Sequence, residues 1–243
     1  MVAAVQSLRR QDMTISGQTV HYWSGGTGSP GLLLLHAAWG DAELTWSGVW
    51  GRLCQAFTVI APDLPGFGRS SGLPRSSLAE MAQLLKQFLN ALDMNNIIIV
   101  GNSFGAAVAI KLAGVIPKVA AHLVLVNGGY MPTAPALLRK LIAMPMLNQV
   151  FGLLMHHHSF SDRALNSAFA DASKLPPGML DMILQHSRVY SKIVYDTWLN
   201  MSEPLGKPPV PTLLLWGTQD HLAPMKYARL LQERIPGSKL VPI

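Results

Sequence analysis

The stretch Gly101-Asn102-Ser103-Phe104-Gly105 has residue types and spacing that could do chemistry. It follows the apolar, β-branched run Ile97-Ile98-Ile99-Val100 and precedes Ala106-Ala107-Val108-Ala109-Ile110, so it reads as strand, sharp turn, helix. A serine at the tip of such a turn is held in a strained backbone conformation, with flanking glycines giving it room. Its hydroxyl then projects above the carboxyl end of a sheet as a nucleophile. The helix that starts there favours negative charge developing at its N-terminus. Serine alone is a weak nucleophile, so acyl transfer also needs a base, an acid to orient that base, and donors for the oxyanion.

These groups depend on the elements that position them. Short, nearly unbroken apolar runs recur at residues 31–35, 57–60, 97–100, 123–126, 212–215 and 239–243, as strands covered on both faces require. Between them lie helical patterns. Residues 78–89 place Leu78, Met81, Leu85, Phe88 and Leu89 on one face, with Ser77 as N-cap and Glu80 as its capping-box partner. Strand and helix in alternation predict an α/β fold whose mostly parallel sheet has right-handed crossovers. Residues 14–22 read as an antiparallel hairpin at its edge.

From Tyr130 to Pro208 the strand signal stops, and the chain reads as helices broken by Pro132, Pro135, Pro145, Pro176 and Pro177. This predicts an inserted helical cap over 130–208, with 1–129 and 209–243 forming the core. The cap holds Met131, Met144, Met146, Met155, Met179, Met182 and Met201. Their flexible side chains suit either an adaptable apolar cavity or the filling of the contact between cap and core. Residues 134–144 read as a lid helix turned toward the pocket rather than one lying on a membrane surface, because Pro145 interrupts the pattern.

Four motifs in order resemble the α/β-hydrolase superfamily, in its cap-bearing serine-hydrolase branch of esterases and C-C bond hydrolases. The elbow at Ser103 is one of them. The second, His36-Ala37-Ala38-Trp39-Gly40-Asp41, is similar to the His-Gly-x loop after the third strand, although Ala37 stands where glycine is usual. The resemblance implies an oxyanion hole made by the N–H groups of Ala38 and Phe104, a bracing role for His36, and a pocket bordered by His36, Trp39 and Asn102. The third motif, Asp63-Leu64-Pro65-Gly66-Phe67-Gly68-Arg69-Ser70, resembles the tight turn after the fourth strand, where Asp63 holds the loop together. The fourth, Gly217-Thr218-Gln219-Asp220 with Pro224 beyond, marks Asp220 as the implied acid; the simpler role for this residue is capping the helix that starts near Pro224. The other place for an acid, after residues 123–126, holds Asn127-Gly128-Gly129 and no carboxylate.

Ser103 sets the chain apart from the dehalogenase and epoxide-hydrolase branches, whose nucleophile is an aspartate. Asn102 and Phe104 are similar to the elbow of hydrolases acting on vinylogous diketones, while esterases and lactonases share the same frame. The implied substrate is a small apolar acyl or aromatic compound, with no cofactor. The implied base is a histidine in the loop after the last strand, and none of the eight histidines stands there. The expectation is therefore a hydrolase lacking that loop and the last helix, with lowered stability and a tendency to form homo-oligomers. A relative that binds a small ligand with little turnover is the competing reading.

Composition narrows the field further. With 243 residues, 49% of them hydrophobic, the chain can bury one sizeable core. The net charge of +6 is spread thinly, with Arg9-Arg10 and Arg139-Lys140 as the adjacent pairs and no basic stripe with interleaved aromatics, which argues against nucleic acid. No apolar run approaches the roughly 18 residues of a membrane span. His156, His157 and His158 are adjacent, and neighbours in sequence rarely converge on one ion, so no metal site is expected. The single Cys54 and the absence of a signal-like start point to a cytoplasmic protein.

Overall fold

The computed structural model describes residues 8–142, 144–160, 178–201 and 204–243, apart from the side chains of residues 145 and 158–160. Eight strands form one sheet in the order β1-β2-β4-β3-β5-β6-β7-β8. The strands are β1 (Arg9–Ile15), β2 (Gln18–Gly25), β3 (Gly31–Leu35), β4 (Thr58–Pro62), β5 (Ile97–Asn102), β6 (Ala120–Val126), β7 (Thr212–Trp216) and β8 (Lys239–Pro242). β1 and β2 pair antiparallel, β2 joins β4 antiparallel, and every pairing from β4 through β3 to β8 is parallel. The hairpin begins earlier than the sequence pattern indicates, because Arg9, Arg10, Gln11 and Asp12 lie exposed on an edge strand and leave no apolar trace.

Alternation within the strands assigns side chains to two layers. Leu32 and Leu34 of β3 face α1 (Ala42–Leu53) with Trp46, Val59 and Ala61. Leu33 and Leu35 face the larger core built on α2 (Leu78–Ala91) and α3 (Phe104–Val115). The expected face of α2 is buried, and the Ser77 hydroxyl accepts the Glu80 N–H at 3.2 Å as the N-cap. α3 is enclosed on nearly all sides, which its run of small residues permits. Across β5 to β7 the burial is lopsided. Ile99, Leu123, Leu125 and Leu214 are fully buried, whereas Ile98, Val100, Val124, Leu213 and Leu215 on the opposite face are half-buried.

Three further described helices, α4 (Ala136–Ile142), α5 (Pro145–Phe160) and α6 (Met179–Leu199), lie between β6 and β7, and α7 (Met225–Arg234) precedes β8. Pro176 and Pro177 lie outside the described residues. α6 is tied to the core: Tyr190 packs on Phe67 at 4.7 Å between ring centroids, and its hydroxyl accepts the Gly68 N–H at 3.0 Å. Just beyond α6, the Asn200 carboxamide bonds the Arg75 guanidinium and the Ser76 carbonyl, each at 2.8 Å. α4, expected as a lid turned toward the pocket, instead exposes Leu137 and Leu141. The aliphatic stripe cannot distinguish a pocket-facing side from an outward one.

Candidate active site

β5 ends at Asn102 and α3 begins at Phe104, so Ser103 makes the whole turn between them, at φ 50° and ψ −112°. Side chains other than glycine rarely adopt this conformation, and here the surroundings impose it. The Ser103 N–H donates to the Val126 carbonyl at 2.9 Å. A Cβ on Gly105 would stand 2.5 Å from the carbonyl oxygens of both Leu35 and His36, and one on Gly101 would stand 2.5 Å from the Gly105 carbonyl. A Cβ on Gly128 would overlap the Ser103 backbone itself. Three glycines thus let β3, β5 and the β6 loop close around the turn. The Ser103 side chain is exposed, and its hydroxyl makes no hydrogen bond among the described residues.

Two cavities meet at Ser103. The smaller, about 310 Å³, is bordered by Ala38, Trp39, Asn102, Asn127, Met179 and Asp220 among others. The larger, about 400 Å³, shares Ala38, Trp39 and Asn127 and extends to Phe104, Met131, Met155 and a group of aromatic side chains. Of the seven methionines between residues 130 and 208, Met131, Met155 and Met179 line these cavities, Met144, Met146 and Met182 face outward, and Met201 is buried.

Asp220 is held by its own loop. Its Oδ1 accepts the N–H of Leu222 at 2.9 Å and of Ala223 at 2.7 Å, while α7, whose N-cap residue is Pro224, has no side-chain cap. Its Oδ2 accepts the Nδ2 of Asn127, whose own Oδ1 accepts the Gly217 N–H at 2.9 Å. Asn127 stands at the end of β6 at φ 45°, a left-handed conformation that asparagine tolerates. Sequence reading treated this position only as lacking a carboxylate. The signal it missed is that an amide here can donate to the carboxylate on the neighbouring strand while accepting from its backbone.

His36 does not border either cavity. It is fully buried, with Nε2 accepting the Leu64 N–H and Nδ1 donating to the Ala37 carbonyl, both at 2.7 Å. Burial holds its pKa below the usual imidazole value, against the pull of the Ala37 carbonyl and of Asp63 and Asp41. Both nitrogens are occupied and the ring is neutral. Asp63 accepts from Ala42 and Arg69, each at 3.0 Å, and burial raises its pKa despite those bonds. Ala37 stays outside the left-handed region, so the loop forms without the glycine. The N–H groups of Ala38 and Phe104 have no acceptor among the described residues.

The remaining histidines lie elsewhere. His221 and His122 are exposed, His122 toward the amino end of β6. His156 approaches Ser191, and His186 stacks on Tyr190. The His158 side chain lies outside the described residues. No histidine borders either cavity among the described residues.

A family model described as the alpha/beta hydrolase family matches residues 32–242, which takes in the elbow, the turn after β4 and the Asp220 loop. The chain belongs to the alpha/beta hydrolase family. Among curated relatives of this alpha/beta hydrolase, an uncharacterised protein of Mycobacterium tuberculosis is 30% identical over 95% of this chain and 73% of its own length. A 2-hydroxy-6-oxo-6-phenylhexa-2,4-dienoate hydrolase of Burkholderia cepacia is 25% identical over 93% of this chain and 83% of its own length. A solved structure of the enzyme with that activity from Rhodococcus sp. strain RHA1 superposes with a TM-score of 0.72 at 21% identity, covering 98% of this chain and 91% of that one, a likeness of fold.

Proposed function

We propose that this hydrolase acts on an acyl compound, a carboxylic ester, a lactone or a vinylogous diketone, through an acyl-enzyme on Ser103. The observation that carries this reading is the strained, exposed Ser103 at the head of α3, where two cavities meet and Asp220 borders the smaller. In the step proposed, the Ser103 oxygen attacks the acyl carbon and its proton passes to a general base, the role that the family resemblance gives to a histidine oriented by Asp220. The N–H groups of Ala38 and Phe104 receive the oxyanion, and water then cleaves the acyl-serine bond. The aromatic and methionine side chains of the larger cavity suit an apolar acyl or aromatic group.

One observation favours a second reading, that of a small-ligand-binding relative: no imidazole borders the cavities among the described residues. Loss of one triad member leaves only about 10³ to 10⁴-fold catalysis over water. Intact-mass detection of a fluorophosphonate adduct, with Ser103→Ala as the control, separates the two. An adduct abolished by Ser103→Ala supports the nucleophile. An unlabelled chain that still binds apolar acids in the cavity supports the ligand-binding relative and overturns the acyl-enzyme.

A further inference from the structure

The two helices that follow β6 carry apolar side chains on their outward sides as well as on the inward ones. On α4, Leu137 and Leu141 are 71% and 46% exposed, with Met144 at 56% just beyond its end. On α5, Met146, Val150, Leu153 and Leu154 are between 50% and 76% exposed and recur at the three- and four-residue spacing of a single stripe. The inward side of α5 is the one that packs: Phe151 stacks on Tyr195 at 6.0 Å, and His156 approaches Ser191. An apolar surface this continuous marks an interaction site.

We infer that the outer faces of α4 and α5 form a monotopic docking surface for a lipid bilayer carrying anionic headgroups. Charge selects that occupant. Residues 130–160 contain no Asp or Glu; Arg139 turns inward, its Nη1 donating to the Met201 carbonyl at 3.1 Å, which leaves Lys140 as the exposed cation of α4. Lys140 is exposed within the α4 stripe, between Leu137 and Leu141, where its stem can lie along acyl chains while its ammonium meets a phosphate. A second copy fits poorly. A two-fold contact would set this face against itself, bringing Lys140 toward an identical surface without a carboxylate. The stripe also lacks the Trp, Tyr and Arg anchors typical of protein interfaces. No single described helix is long and apolar enough to cross a membrane, and α4 and α5, which reach that length only together, are bent by 107° at the break between them; the proposal lays both in the interface plane.

α5 separates this face from the larger cavity, and Met155 on its inner side borders that cavity. A lipid-seated α5 therefore sets the cavity beside a store of apolar acyl compounds, a consequence that rests on the hydrolase reading; the docking surface itself does not.

The test is co-sedimentation of the chain with vesicles of phosphatidylcholine, with and without phosphatidylglycerol. The variants are Leu153→Glu/Leu154→Glu, Leu137→Glu and Lys140→Glu, each checked for an unchanged melt, and sedimentation velocity is run without lipid. The expected result is binding to the phosphatidylglycerol vesicles, weakened about tenfold for each leucine replaced and about thirtyfold by the charge reversal Lys140→Glu. Ser103→Ala binds like the parent chain, which keeps this outcome separate from that of the acyl-enzyme reading. Absence of vesicle binding, or binding unaffected by the leucine variants, overturns the proposal. So does a dimer without lipid that Leu153→Glu/Leu154→Glu dissociates, since the occupant is then a second copy.

Discussion

Replacing His36 with leucine tests whether this imidazole braces the loop or takes part in proton transfer. The ring is fully buried, its Nε2 accepts the Leu64 N–H, and it meets Phe67 edge-on at 5.2 Å between centroids. Leucine keeps an apolar body of similar bulk and leaves the Leu64 N–H without an acceptor, which costs about 2 kcal/mol. For a chain of this size that lowers the melting temperature by about 4–8 °C near neutral pH. The pH dependence sharpens the test. His36 has a lowered pKa in the folded state, so below the unfolded value of about 6.5 the unfolded chain binds a proton that the folded chain refuses. The parent therefore loses stability as the pH falls through that value, whereas the leucine variant lacks this particular loss. Between pH 7 and pH 5.5 the gap between the two narrows. Urea unfolding at both pH values, followed by circular dichroism, measures it. A gap that stays constant or widens on acidification refutes a neutral, bracing His36.

Gly105→Ala places a methyl group 2.5 Å from two backbone carbonyl oxygens, so α3 must shift away from β3. A loss of about 1–3 kcal/mol is expected by thermal melting, together with loss of fluorophosphonate labelling. Gly114→Ala on the same helix meets nothing within 4 Å and should instead stabilise by roughly 0.5–1 kcal/mol. Asn127→Asp sets a second carboxylate against Asp220, and two such groups in contact share a proton, raising one pKa in the folded state. That variant should be destabilised at neutral pH and recover as the pH falls, as urea titrations at two pH values would show.

The strands from β3 to β7 were legible because each is a short apolar run buried on at least one face, and the α2 face was legible because its cap and its period agree. The first half of β1 was not, since an exposed edge of Arg, Gln and Asp carries no such run, whereas its end at Thr14 and Ile15 was read as part of the hairpin. The neighbourhood of Ser103 followed from local rules: a strand, a serine between glycines, a small-residue helix. The partnership of Asn127 with Asp220 did not, because it joins residues 93 apart across two strands and depends on which side an amide turns. His36 was placed at the pocket's edge by its position after β3, whereas its ring turns beneath the loop toward the Leu64 N–H. The outward aliphatic side of α4 was misjudged because a hydrophobic stripe records that a surface is apolar without recording what lies opposite it.

The fastening of α6 bears on how such a scaffold can diversify. Tyr190 and Asn200 join this part of the chain between β6 and β7 to the Gly68 turn and to Arg75 and Ser76, while α5 packs on α6. The segment carrying α4 and α5 is thus an outer storey on a fixed floor. Exchange or redesign of that storey can alter where the protein docks and what enters the larger cavity, while the glycine-packed elbow beneath keeps its geometry.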